Sequence, residues 1–86
     1  MDPYQVFIAE DVVEVISTLR SHEKGALREF ISGLAFNPDR LGDFPERDRS
    51  GRETQCKIIG DYALCFYPDH AVREIKVFEI NRADRL

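Results

Sequence analysis

The period of apolar and polar positions changes along the chain, and each period predicts a type of element. Residues 4–9, YQVFIA, alternate and are rich in β-forming side chains, so they are predicted to form a strand. The spacing i, i+3, i+4, i+7 of an amphipathic helix follows at Val12, Val15, Ile16 and Leu19. The same stripe recurs at Leu27, Phe30, Ile31 and Leu34. Asn37-Pro38 ends this second helix, because the residue before proline disfavours helical geometry.

A long polar segment separates the two helices from three further strands. Residues 37–53 are dense in Gly, Pro and charge, and loops of this length are usually functional or disordered. Strands are predicted at residues 54–59, 62–67 and 74–80. The turns between them, at Gly60-Asp61 and Pro68-Asp69-His70, are short, so these strands must be antiparallel.

The element order βααβββ predicts a two-layer α+β fold. A chain of 86 residues allows one small domain, which would span residues 1–86. The short link between the helices predicts an antiparallel helical hairpin, which buries its stripes on one face of an antiparallel sheet. Strand alternation then directs Tyr62, Leu64 and Phe66 toward the helices.

The opposite face of the sheet is termed the open face. It is predicted to carry Lys57, Ala63, Cys65, Tyr67 and Lys76. Phe78 and Ile80 interrupt the polar character of this surface, so it is either partly covered or binds something apolar.

Charge and cysteine content narrow the function classes. The net charge is -4, and only residues 47–86 hold more basic than acidic side chains, eight against seven. A strong nucleic-acid binder usually shows a clearer basic excess. The chain shows neither the basic start of a signal peptide nor a membrane-length apolar run, so a cytoplasmic protein is expected. Cys56 and Cys65 lack partners at metal-binding spacing, and both are predicted to be reduced, without a metal or cofactor.

Basic residues distant in sequence are candidates for a phosphate site. They are Arg47, Arg49, Arg52, Lys57, Arg82 and Arg85, and antiparallel strands are expected to bring them to one rim. Arginine and lysine aimed at a phosphodiester bind RNA and stabilise charge at phosphorus without a metal. Tyr67 and Phe78 are candidates for base stacking, and His70 for a general base. The alternatives are a solvated loop, since charges alternate around Asp48, and an exposed turn histidine.

Three stretches of the sequence resemble a known superfamily. They are the helix-ending Asn37-Pro38, the segment KIIGDYALCFY at residues 57–67 and a final strand ending in INR. Together with the pattern GR…K.IG…Y..DHA..E..V, they resemble the RelE/ParE toxins of bacterial type II toxin–antitoxin systems over nearly the whole chain. The resemblance implies a RelE-like fold and a cognate antitoxin as partner. RelE-like members cleave mRNA on the ribosome, whereas ParE-like members poison DNA gyrase.

The resemblance also implies roles for individual residues. The implied catalytic residues are Arg52, Lys57, Tyr67, His70 and Arg82. The basic residues predicted to contact RNA, from their charge and position, are Arg47, Arg49, Lys76 and Arg85. Many RelE-like toxins carry an arginine where this chain has Ala63, and a tyrosine beyond the position of Arg82. These two departures leave open a ParE-like gyrase inhibitor or a degenerate toxin that only binds its partner.

Both functions imply an apolar groove for an antitoxin segment. Phe36, Leu41 and Phe44 lie in or beside the predicted loop and are candidates for this groove. The alternative is that they cap the core of the helix pair.

Overall fold

The computed structural model describes residues 2–85, and for residue 85 the backbone alone. This range contains two helices, five strands and a short 3₁₀ turn. In chain order they are β1 (Gln5–Ile8), α1 (Glu10–Ser17), α2 (Ser21–Leu34), β2 (Phe44–Arg47), β3 (Glu53–Ile59), β4 (Tyr62–Asp69), β5 (Glu74–Arg82) and the 3₁₀ turn (Ala83–Arg85). The predicted α+β class is confirmed, and β2 is an additional strand inside the predicted loop.

The strands form one sheet in the order β1-β5-β4-β3-β2. Neighbours from β2 to β5 are antiparallel, as their short connections require. β1 instead pairs with β5 in parallel, with Gln5 opposite Glu74 and Ile8 opposite Val77. The sheet is therefore mixed rather than antiparallel throughout, and β5 lies between β1 and β4.

The helices bury most of their apolar stripes on one face of the sheet, where the core forms, but Val15 of the predicted stripe is exposed. Its fully or nearly fully buried members are Val12, Ile16, Leu27, Phe30, Ile31, Leu34, Leu64, Phe66, Ile75 and Val77. The rings of Phe30 and Phe66 meet edge to face with centroids 5.5 Å apart. Burial of each such side chain contributes about 1.5–3 kcal/mol. Leu64 and Phe66 face the helices as predicted, and Tyr62 lies half-buried at the end of the same row.

β2 is an edge strand, although its sequence, FPER, does not have the pattern typical of a strand. Pro45 has no N–H and is tolerated because one side of an edge strand needs no ladder partner. The strand begins where the Asp43 N–H donates to the Cys56 carbonyl at 2.8 Å. Among residues 2–85, neither helix has the length and apolar character needed to cross a bilayer.

Gly42 approaches β3 so closely that alanine is expected to be destabilising there. A Cβ at Gly42 would lie 2.3 Å from the Cys56 carbonyl oxygen, so the backbone must shift. We expect Gly42→Ala to lower the free energy of unfolding by about 1–3 kcal/mol, measured by urea denaturation. Gly25→Ala is the matched control, because its Cβ meets nothing within 4 Å on α2, and it should stabilise by about 0.5–1 kcal/mol. Equal shifts of the two variants would contradict the close approach.

Candidate nucleic-acid interface

The centre of the open face is built from small side chains. Strand register places Cys56 opposite Cys65 and Ile58 opposite Ala63. Thr54, Cys56, Ala63 and Cys65 are all buried, with at most 2% of their surface exposed. Their burial means that larger side chains around them cover the centre of this face.

A β-bulge in β5 decides which aromatic residue reaches the open face. Cys65 pairs with Glu79 and Phe66 with Val77, so Phe78 is the extra residue of the bulge. Phe78 lies beside Tyr67 on the open face, with ring centroids 5.7 Å apart, whereas Ile80 packs against the core. The bulge therefore separates the two apolar residues that the sequence pattern placed on one face.

Cationic and aromatic side chains meet at one end of the open face. The Arg52 guanidinium lies 4.4 Å from the centroid of the Tyr67 ring, which in turn contacts Phe78. Lys76 stands opposite Tyr67 on β5, and its Nζ lies 4.7 Å from the centroid of the Phe7 ring. We term Arg52, Tyr67, Lys76 and Phe78 the cation–aromatic cluster. Aromatic faces beside cations are the usual means of holding single-stranded nucleic acid.

An open cleft of roughly 530 Å³ adjoins this cluster. One wall is formed by the end of β2, with Arg47, and by the loop after it, with Arg49, and the other wall includes Phe78 and Glu79. Its volume falls within the range of small-ligand sites. Both arginines predicted to contact RNA therefore line the same cleft.

Asp48 fixes the loop that carries Arg52. Its Oδ1 accepts hydrogen bonds from the Ser50 hydroxyl at 2.6 Å, the Ser50 N–H at 2.9 Å and the Arg52 N–H at 3.0 Å. The bond from the Ser50 hydroxyl is the main reason that the pKa of Asp48 lies below its usual value. Gly51 completes the turn with a φ of 86°, a conformation that favours glycine. The loop thus holds the start of β3, and Arg52 with it, in a defined position.

Two predicted site residues lie on the other side of the sheet. Lys57 stands opposite Leu64, a core residue, and its Nζ contacts Asp43 at 3.2 Å. Arg82 stands opposite Tyr62, with its guanidinium 5.8 Å from that ring centroid. Directly opposite residues of antiparallel strands share a face, so both basic residues lie on the helix side. The prediction that Lys57 lies on the open face is therefore wrong, and so is the prediction that Arg82 joins Arg52 at one rim.

His70 connects three separate segments. Its Nδ1 lies 2.7 Å from the Tyr4 hydroxyl and its Nε2 lies 3.1 Å from the Asp39 carboxylate. These contacts tie the β4–β5 turn to the residues before β1 and to the segment after α2. Both ring nitrogens are thus engaged with the protein, and a general-base role for His70 stays a prediction.

The remaining predicted residues are dispersed. Phe36 and Leu41 are 78% and 72% exposed, whereas Phe44 is half-buried on β2 opposite Cys56. The side chain of Arg85 lies outside the described residues, so its predicted RNA contact stays untested.

Sequence reasoning missed the carboxylates that accompany the two cysteines. The Cys56 thiol donates to the Glu46 carboxylate at 3.2 Å, and Cys65 Sγ lies 3.9 Å from a carboxylate oxygen of Glu79. Both thiols are free. Burial, reinforced by the nearby carboxylates, raises the pKa of Cys65 to about 11 and that of Cys56 further. The thiols are therefore protonated at neutral pH. The position of Glu46 beside Cys56 could not be predicted, because Glu46 lies in a segment that was predicted to be a loop.

Asp43 joins the start of β2 to β3 and should shape the acid stability of the protein. Its carboxylate accepts from the Ile58 N–H at 2.7 Å and from Lys57 Nζ at 3.2 Å, and in that order these bonds lower its pKa. A lowered pKa contributes stability above the ordinary value of 3.8, and this stability is lost as the pH falls through the lower folded value. We expect Asp43→Asn to be less stable at neutral pH and to lose less stability on acidification.

The measurement for this prediction is the Tm between about pH 6 and pH 2. Glu14→Gln, which removes an exposed carboxylate from α1, is the matched control and should follow the parent curve. Parallel curves for the parent and Asp43→Asn would show that the contacts of Asp43 are not formed in solution.

Solved structures, rather than sequences, show what this chain is similar to. No protein-family model matches the sequence, and comparison with curated proteins gives no match. A chain of the archaeal RelE–RelB complex from Pyrococcus horikoshii OT3 superposes with a TM-score of 0.80 at 18% identity, over 98% of this chain and 99% of that one.

A second similar structure comes from a bacterium. It is a chain of the toxin–antitoxin complex RelBE2 from Mycobacterium tuberculosis, with a TM-score of 0.74 at 22% identity, over 93% of this chain and 98% of that one. Both matches span almost the full length of each chain, and they agree with the helical pair and sheet described above. The chain therefore has the RelE-like fold that its sequence resemblance implied.

Proposed function

We propose that this protein is the toxin of a toxin–antitoxin pair and that it cleaves mRNA on the ribosome. The observation that carries the proposal is the cation–aromatic cluster, in which the Arg52 guanidinium lies 4.4 Å from the Tyr67 ring centroid. The toxin role is supported by the fold, which is shared with chains from two RelE–RelB type complexes.

The cluster supplies the two kinds of contact that RNA requires. Tyr67 and Phe78 offer ring faces for unstacked bases, and Arg52 offers positive charge to the phosphate that links two such bases. Lys76 is a second cation of the cluster, and its ammonium group is ion-paired with Glu74. In the proposed reaction a 2′-hydroxyl loses its proton and attacks the adjacent phosphorus. The 5′-oxygen leaves with a proton, and the products are a 2′,3′-cyclic phosphate and a 5′-hydroxyl end. Arg52 stabilises the charge that develops on the phosphate oxygens.

Induced expression in a bacterial host tests this proposal. Growth should stop, and primer extension on a reporter mRNA should show new 5′ ends within translated codons. Purified protein should cut the same mRNA only when ribosomes are added. Unaffected growth together with intact mRNA would contradict both the proposed toxin role and the proposed mRNA cleavage.

The exposed apolar residues after α2 fit the binding of an antitoxin segment. Phe36 and Leu41 both expose most of their side chains, which is costly for a chain that acts alone. We expect Leu41→Asp to weaken binding of the protein encoded in the neighbouring reading frame by at least about tenfold, measured by calorimetry. Val72→Asp is the matched control, because Val72 is an exposed apolar residue of the β4–β5 turn. Equal weakening by both variants would argue against a specific contact at Leu41.

A non-cleaving toxin is the second candidate, and the centre of the open face favours it. Ala63 is fully buried there, opposite Ile58 and Asn81, and Glu46 and Glu79 add negative charge nearby. Carboxylates repel a phosphate backbone. This candidate predicts growth arrest with intact message. Trapped cleaved DNA in a gyrase supercoiling assay would then identify a ParE-like action.

A further inference from the structure

Strand pairing gathers a set of metal-binding atoms that the sequence keeps apart. β3 and β4 place Cys56 directly opposite Cys65, and β2 brings Glu46 to the same side. The two sulfurs and a carboxylate oxygen of Glu46 lie within 4.8 Å of one another. Residues 46, 56 and 65 do not form a metal-binding sequence motif, so only the register of three neighbouring strands reveals the group.

We propose that Cys56, Cys65 and Glu46 bind a zinc ion on the open face. Tetrahedral zinc has bonds of about 2.3 Å to sulfur and 2.0–2.2 Å to carboxylate oxygen, which sets its ligand atoms about 3.4–3.8 Å apart. The contact of 3.2 Å between Cys56 and Glu46 already lies close to that range. Glu46 is exposed and both cysteines are buried, so the Glu46 side chain can adjust more readily than either sulfur.

The ligand types select the metal. Two thiolates with one carboxylate suit zinc and exclude magnesium and calcium, which prefer oxygen ligands alone. Glu79 lies outside this group, with a carboxylate oxygen 3.9 Å from Cys65 Sγ. A water molecule or, after movement of its side chain, the Glu79 carboxylate would complete the coordination.

A bound dication would reverse the effect of the nearby carboxylates on the two thiols. Without an ion, burial and the neighbouring carboxylates keep protons on both sulfurs. A bound dication replaces those two protons, and each carboxylate then stabilises the site instead of opposing the thiolate. The ion would join β2, β3 and β4, of which β2 is a four-residue edge strand. Zinc should therefore raise the Tm as well as bind.

Cobalt(II) is the spectroscopic probe for this site, because thiolate ligands give it an intense near-ultraviolet charge-transfer band. The reduced protein should bind one Co²⁺ per chain with a band of the intensity of two thiolates and with the strong visible absorption of tetrahedral coordination. Zn²⁺ should displace the cobalt at one equivalent, and Mg²⁺ in large excess should not. Cys65→Ser should halve the charge-transfer band, and Glu46→Gln should weaken Zn²⁺ binding at least about tenfold.

The matched control is Glu14→Gln, an exposed carboxylate on α1, which should bind Zn²⁺ as the parent does. Absence of binding would overturn the proposal, and so would cobalt bound without a thiolate band. A Glu46→Gln variant that binds Zn²⁺ with parental affinity would remove Glu46 from the site. If Cys65→Ser fails to fold, the intensity of the charge-transfer band in the parent protein still gives the number of thiolate ligands. An intensity below that expected for two thiolates overturns the proposed ligand set.

Discussion

Replacing Arg52 with alanine is expected to abolish mRNA cleavage and growth inhibition while the protein stays folded. Arg52 is exposed immediately before β3, and its guanidinium lies over the Tyr67 ring on the open face. Removing one group that stabilises charge in a transition state typically lowers the rate about 10²–10³-fold. The measurement is the rate of ribosome-dependent cleavage of a defined mRNA by the purified protein, with circular dichroism to verify folding.

Three further variants make the Arg52 prediction specific. Arg52→Lys keeps the charge but loses the planar group that stacks on Tyr67, so an intermediate rate is expected. Lys57→Ala and Arg82→Ala remove equal charge from the helix side of the sheet, and Tyr62, opposite Arg82, is roughly 16 Å along β4 from Tyr67. Both should cleave at nearly the parental rate. If these two variants lose cleavage and Arg52→Ala does not, the catalytic site does not lie on the open face.

Replacing Phe66 with alanine is expected to have the largest effect on stability. Phe66 is 1% exposed, the largest of the fully buried side chains in the described part of the chain, and its ring packs on Phe30. Such a truncation costs about 3–5 kcal/mol, a large share of the total stability of a small domain. We therefore expect a Tm lower by at least about 12 °C, measured by calorimetry.

Phe36→Ala is the control for this change, because it removes the same ring from a site that is 78% exposed. Its free energy of unfolding should change by no more than about 0.5 kcal/mol. Comparable losses in the two variants would mean that Phe36 is buried in solution, for example by a second molecule.

Periodicity was sufficient to predict the elements that build the core. The stripes through Val12 and Ile16 and through Leu27 and Leu34 mark helices whose core-facing residues are buried, although Val15 of the first stripe is exposed. β2 escaped prediction because its FPER sequence contains a proline and two charges, and because its stability comes from pairing with β3 rather than from its own pattern. Such a pairing cannot be predicted from the local sequence of β2.

The positions of Lys57 and Arg82 were both predicted incorrectly, but for different reasons. The two-residue turn at Gly60-Asp61 pairs Ile59 with Tyr62, and counting back places Lys57 opposite Leu64 on the core side. That information was present in the sequence. Arg82 differs, because an unbroken register would turn it to the open face, and the extra residue Phe78 reverses this. A bulge leaves no clear mark in a short apolar strand, so the position of Arg82 was not predictable.

The place of β5 in the sheet has a consequence for the synthesis of this protein. β5 follows every other strand along the chain, yet it lies between β1 and β4. While a nascent chain lacks residues 74–82, β1 has no neighbour and one side of β4 is open, so the sheet cannot close as it leaves the ribosome. Lys76 and Phe78 also arrive only then. Translation that stops before β5 would therefore release a chain whose sheet is not closed, and the cation–aromatic cluster would form only in chains synthesised through β5.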